Sequence, residues 1–467
     1  MKREKELIKN TIIIGFGTML PKFASLITLP IITAKLTKAD MGIYDLISTL
    51  IALFLPVVTL QIQTAAFRFL IECEDDNEDK RSIVSTMLWF IGIVSIIAVS
   101  FLFFVLKQFD ITTRLLIACY FFIDIVLIML QQVARGLHQN KLYSVSAIAV
   151  SFVNMLLVLL TVQIINYGLN GVLFSIAVAS LVSIIIIVTR IRVWKYISLR
   201  CFSITKFKEL LAYSWPMIPN SLSNWVMNLS DRLVIIGFLG IEANAVYSVA
   251  NKIPNLFTSI QGTFVMAWQE NASSASEDDD ISTYYTKMFQ SVFSILFAIM
   301  ACLIAATPIL FKILIRGDYS NAYYQMPILY IALLFSAISS FIGGIYVACK
   351  QTKSIGITTM IAAAINFVVI ISLVKSIGIY AGSISTLVSF LCLAIFRMKN
   401  IRKFVYVRYD YKRIIIMCLI LSLLSVTCYQ RNNALNVINF VIAVSAALIF
   451  NKDIVVMILD KLFRKIS

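Results

Sequence analysis

The chain has 467 residues, 60% of them hydrophobic and only 14% charged, with a mean hydropathy of +0.90 and a formal net charge of +16. That composition excludes an ordinary soluble domain. Basic residues gathered in the loops of a membrane protein account for the charge, so nucleic acid need not be invoked as a partner.

A spanning helix needs about 20 mostly apolar residues. In chain order that criterion predicts fourteen spans, near 11–35, 42–68, 83–106, 114–134, 143–165, 171–189, 210–238, 244–269, 285–310, 325–348, 354–374, 378–396, 413–430 and 434–451. The opening Met1-Lys2-Arg3-Glu4-Lys5 leads into the first apolar run without a small-residue cleavage site, so it reads as a retained first helix rather than a signal peptide. The closing stretch Ile454–Ile466, with Asp460, Lys461, Arg464 and Lys465, reads as an amphipathic helix at the membrane interface. The expected fold is an all-α polytopic membrane protein.

Placing the amino terminus in the cytoplasm puts 29 of the 40 Lys and Arg residues in inner segments, eight in outer ones and three within spans. This bias predicts that both termini are cytoplasmic. Short matches recur in one order along the chain. Gly42-Ile-Tyr44 pairs with Ala245-Val-Tyr247, Lys141 and Asn154 with Lys353 and Asn366, and the Gly168–Gly171 turn with Gly378–Gly382. They predict two six-helix lobes, 1–190 and 209–400, with a basic cytoplasmic linker at 191–208 and a final pair of helices with a basic tail at 401–467. Six is even, so the copies point the same way and a pseudo-twofold runs along the membrane normal, with substrate between the halves.

Charge at the centre of a bilayer costs about 2.5–3.5 kcal/mol on insertion scales, so charged residues inside spans face a cavity or a partner. Lys22, Arg68, Arg232 and Lys252 are the candidates for holding an anionic headgroup. Gln61, Asn220, Asn224, Asn228, Asn251 and Asn255 recur at helical spacing and would line a polar cavity. Asp124 and Asp231 are candidates for ion coupling or an ion pair. Duller readings stand beside these. Lys22 could snorkel to an interface, Arg68 and Arg135 could be anchors, and Arg232 could serve a structural pair. Asp45 reads as a solvated residue at a helix end, and Asn154 and Asn366 as interhelical hydrogen-bonding groups.

Cys73, Cys119, Cys201, Cys302, Cys349, Cys392, Cys418 and Cys428 form no CxxC, and His138 is the only histidine, so neither a metal site nor a cofactor is expected. The outer loops are too short to carry a catalytic constellation, which argues against an enzyme.

Three stretches carry a resemblance: Leu29-Pro30 through Gly42-Ile-Tyr44, Thr64-Ala-Ala-Phe-Arg68 through Glu72, and Gln131-Gln-Val-Ala-Arg135. The second lobe adds Ser214-Trp-Pro216, Ser230-Asp231-Arg232 and Val246-Tyr247 through Lys252. The chain resembles the polysaccharide transporter (Wzx-type) flippases of the multidrug/oligosaccharidyl-lipid/polysaccharide superfamily, and departs from them at Gln61, where many members have glycine. The resemblance implies a bilobed, V-shaped bundle in the bacterial cytoplasmic membrane. It implies export of undecaprenyl-pyrophosphate-linked oligosaccharide by alternating access, for O-antigen, capsule or exopolysaccharide, with Na+ or H+ as counter-ion and polysaccharide polymerase or export proteins as partners. Within the superfamily, a lipid-linked peptidoglycan precursor flippase and a multidrug or cation exporter are the alternatives. The cations on the first two spans argue against a cation exporter.

Overall fold

A computed structural model describes residues 2–73, 77–198, 201–274, 280–453 and 455–457, with side chains in the first helix from Gly17 and, beyond Thr18, from Met19. The amphipathic stretch expected at 454–466 lies almost wholly outside the described residues. Among those residues every regular element is helical. In order they are α1 Lys2–Lys35, α2 Lys38–Val58, α3 Ile62–Glu72, α4 Asn77–Val105, α5 Ile111–Gly136, α6 Asn140–Val158, α7 Gly168–Ile191, α8 Ile204–Ser214 and α9 Met217–Leu239. There follow α10 Ile241–Ala250, α11 Lys252–Ser274, α12 Ile281–Leu314, α13 Ser320–Ala348, α14 Thr352–Ile377, α15 Tyr380–Asn400, α16 Tyr411–Tyr429 and α17 Asn433–Phe450.

Eleven helices among the described residues are long and apolar enough to cross a membrane, fewer than the fourteen expected. The helices of the first, seventh and eighth predicted spans are not among the eleven, and the second, seventh and eighth spans are broken, α2 from the second still counting. The second breaks between Val58 and Ile62, where Leu60 and Gln61 adopt positive φ of 49° and 56°. The seventh divides at Trp215-Pro216 into α8 and α9, and the eighth at Asn251 into α10 and α11. Pro216 and Pro254 lack the N–H that would bond the carbonyl four residues earlier, which favours a kink or break near each, although α1, α2, α12 and α13 continue through prolines.

The chain folds as two compact units, Met1–Leu229 and Ser230–Ser467, with the boundary inside α9. In the first unit Ile62, Ala66 and Leu70 of α3 pack with Ile83, Met87 and Ile91 of α4 and with Ile117, Phe121 and Ile125 of α5. α1 and α6 meet closely: a Cβ on Gly17 would lie 2.5 Å from Ser144 Oγ. Small residues let helices approach in this way where lipid supplies no hydrophobic drive. Outward faces are apolar, as Ile97 and Phe101 of α4 show at 63% and 70% exposure.

The 191–208 stretch is fastened to the first unit. Ser85 Oγ donates to Tyr196 O (2.7 Å) and accepts from Ser198 N (3.0 Å), and Thr86 Oγ1 accepts from Ser203 N (3.1 Å). Lys206 bridges Asp79 at 3.1 Å and Glu209 at 3.4 Å. Partial burial disfavours the charge on Lys206, but these carboxylates outweigh it and raise its pKa above the ordinary lysine value.

In the second unit Trp268 of α11 stacks on Phe341 of α13 at 4.3 Å and donates to its carbonyl (2.8 Å). Gly168 opens α7 and Gly378 precedes α15, and they take φ of +55° and +61°, a left-handed conformation that glycine adopts at little cost.

Candidate substrate and ion sites

In the first unit the helix break places Gln61 at the N-cap of α3. Its Nε2 donates to Ser221 Oγ of α9 (3.1 Å), and its Oε1 accepts from Thr64 Oγ1 (3.0 Å). Arg68 lies on α3, half-exposed, and pairs with Glu72 at 2.7 Å one turn on. Lys22 is exposed on α1. Asn220, Asn224 and Asn228 are exposed on the first half of α9, and Asn228 Nδ2 donates to Asn224 O (2.7 Å). Asp124 is half-buried on α5, one turn after buried Tyr120.

Asp45 corrects the sequence reading: it is 5% exposed rather than solvated. The reason is that α2 begins at Lys38, so residue 45 lies in the second turn on the helix's buried face. Arg135 is more than an anchor, since its guanidinium covers the Phe67 ring at 4.5 Å.

In the second unit Asp231 and Arg232 are both buried, at 5% and 8% exposure. Tyr247 of α10 donates its hydroxyl to Asp231 Oδ2, and Thr386 Oγ1 of α15 approaches the same oxygen at 3.4 Å. Asp231 Oδ1 is buried with no hydrogen-bond partner among the described residues. Asn251 Nδ2 donates to Tyr247 O (2.9 Å) at the α10–α11 break, beside half-buried Lys252. Asn255 is exposed, with its carbonyl accepting from Ser259 Oγ (2.9 Å). Gly382 makes the arrangement possible, because a Cβ there would stand 2.8 Å from Tyr247 Cε2.

The structure therefore joins Asp231 with Tyr247 and Thr386, and joins Gln61 with Thr64 and Ser221. Asn154 and Asn366, matched in sequence, share one feature: each buried Oδ1 lacks a partner among the described residues.

Sequence reasoning missed Arg397, which it counted with the loop cations. Arg397 is 5% exposed and donates to Thr358 Oγ1 (3.0 Å), Ser339 O (2.8 Å), Ile355 O (3.3 Å) and Thr359 Oγ1 (2.9 Å). It ties α13, α14 and α15 through neutral acceptors. A cation directly after an apolar run gives no sequence signal that separates this role from anchoring. No group of three or more His, Cys, Asp or Glu side chains suited to a metal ion occurs among the described residues.

Long apolar helices with buried polar groups in each unit make a fold that solved structures share. The lipid II flippase MurJ in an inward closed conformation aligns with a TM-score of 0.71 at 16% identity, covering 97% of this chain and 100% of its own. An inward-facing multidrug resistance MATE family transporter of the MOP superfamily aligns at 0.68 and 14% identity, covering 83% and 95%. A MOP superfamily transporter from Pyrococcus furiosus, described as having a binding pocket of reverse polarity, aligns at 0.58 and 15% identity, covering 85% and 95%. A search of curated proteins finds no match. The family model for polysaccharide biosynthesis proteins matches residues 7–269, more than half of the sequence, and the chain belongs to that family.

Proposed function

We propose that this protein is a flippase that carries undecaprenyl-pyrophosphate-linked oligosaccharide across the bacterial cytoplasmic membrane by alternating access, with both termini in the cytoplasm. Membership of the polysaccharide biosynthesis family is the observation that carries the reading. The residues support it. A pyrophosphate is a strong anion, and Lys22, Arg68, Arg232 and Lys252 supply cations within or at the ends of apolar runs. The exposed amides of Asn220, Asn224 and Asn228 suit sugar hydroxyls. Arg68 shares its charge with Glu72, so in this reading it exchanges that partner for phosphate. Asp124 and Asp231 are the groups through which a Na+ or H+ gradient would act, and Asp231 keeps one carboxylate oxygen for such an ion.

A second reading, transport of a lipid-linked peptidoglycan precursor, draws support from the full-length alignment with MurJ. One experiment separates the two. After deletion of the chromosomal copy, the undecaprenyl-linked glycan that accumulates on the inner leaflet is identified. A surface-polymer repeat unit is expected, and Lys22→Ala, Arg68→Ala or Lys252→Ala should each fail to restore export while remaining folded in the membrane. Accumulation of the peptidoglycan precursor selects the second reading. Full export by all three variants refutes the cationic site.

A further inference from the structure

We propose that a cavity in the second unit, formed where α12 begins, binds the phosphate of an anionic membrane phospholipid that is held rather than transported. The cavity has a volume of about 690 Å³. The 404–411 segment is pinned across the start of α12: Ser282 Oγ donates to Tyr406 O (2.5 Å), and Arg408 N donates to Thr286 Oγ1 (3.1 Å).

Three features of the lining point to a phosphate. Lys287 and Arg408 both line the cavity with exposed side chains, and neither has a carboxylate partner among the described residues. Asp410 also lines it, but its Oδ1 accepts from Arg413 N (3.0 Å) as the cap of α16. Tyr409 supplies a donor. It is 5% exposed, and its hydroxyl is buried without a partner among the described residues. Burial raises its pKa, against the opposing pull of Arg402, so the hydroxyl stays protonated. Phe289 at 4.7 Å and the Arg402 guanidinium at 4.9 Å hold the Tyr409 ring in place. Finally, the first turn of the 34-residue α12 contributes Ser282 and Thr283 to the wall, and among the described residues Asp280 at its N-cap makes no side-chain cap; the N–H groups of a helix's first turn favour an anion. The segment 402–413 carries five Lys or Arg residues against one Asp, while the run 277–280 that precedes α12 in sequence is Glu-Asp-Asp-Asp.

The lipid source follows from Tyr411. It lines this polar cavity and also an apolar groove of about 460 Å³ walled by Phe293, Phe335, Leu391 and Ile415. A phospholipid offers a charged head for the first and an acyl chain for the second, whereas a soluble phosphate fills only the first. The phosphate takes a forked pair of charge-assisted hydrogen bonds from Arg408 and a point charge from Lys287.

The test titrates the full-length detergent-solubilised protein with short-chain phosphatidylglycerol, with dioctanoylglycerol and with sodium phosphate, read by native mass spectrometry and calorimetry. One phosphatidylglycerol should bind, at least ten-fold more tightly than either comparator. The double variant Lys287→Gln/Arg408→Gln should weaken it at least ten-fold, while Lys403→Gln/Lys412→Gln, which removes equal charge at residues that do not line the cavity, should not. Unchanged binding by the first double variant overturns the site. Equal binding of dioctanoylglycerol shows that the phosphate is not recognised, and equal binding of sodium phosphate shows that the ligand is not a lipid; either overturns the proposal.

Discussion

Replacing Gly382 by Ala tests whether the Asp231–Tyr247 arrangement is held by helix packing. The added Cβ would lie 2.8 Å from Tyr247 Cε2, 3.0 Å from Tyr247 Cζ and 3.0 Å from Ile235 Cδ1. These are a buried ring and a buried aliphatic end, and the Tyr247 hydroxyl is fixed on Asp231, so the ring can retreat only by abandoning that bond. Overpacking costs about 1–3 kcal/mol, and loss of a hydrogen bond to a carboxylate about 1.5–3 kcal/mol. Ala in place of Gly within a helix returns about 1 kcal/mol. The net destabilisation is about 1.5–5 kcal/mol on these figures. The assay is the temperature at which half the detergent-solubilised protein is lost from the monodisperse peak after heating. Gly262→Ala on α11 is the control, because a Cβ there meets nothing within 4 Å. Tyr247→Phe, which removes only the hydroxyl, should fall between the two. A Gly382→Ala protein as heat-resistant as Gly262→Ala would refute the argument.

At Gln61, glycine and alanine should separate two effects. Gly relieves a left-handed backbone worth about 1–2 kcal/mol while losing three side-chain hydrogen bonds of about 1 kcal/mol each, so Gln61→Gly should cost about 1–2 kcal/mol. Gln61→Ala loses the same bonds without relief and should be clearly less stable; equal stability of the two variants refutes the strain account. Arg397→Lys keeps the charge but cannot span the four acceptors on α13 and α14, and should cost about 2–4 kcal/mol by heat-resistance measurement. Wild-type heat resistance would show that the charge alone suffices.

The long apolar helices were legible because hydropathy over about 20 residues is a strong signal, and α4 to α7 and α12 to α17 all stand where the apolar runs lie. The breaks were not legible from hydropathy, since Leu60 and Asn251 interrupt neither apolar run. They follow instead from local chemistry: two successive left-handed residues at 60 and 61, and Pro254 three residues beyond Asn251. Gln61 takes a φ of 56°, a backbone conformation that suits a residue without a Cβ. Asp231 was legible as a charge in an apolar helix, but its partners were not: Tyr247 lies 16 residues away and Thr386 155 residues away, and only packing brings them together. Arg397 shows the converse limit. Its position after an apolar run matches an anchor, and only three helices converging on one guanidinium reveal a cross-link. Charge placement thus finds where a membrane protein departs from a plain apolar bundle, while the function of each departure depends on which neighbouring helices reach it.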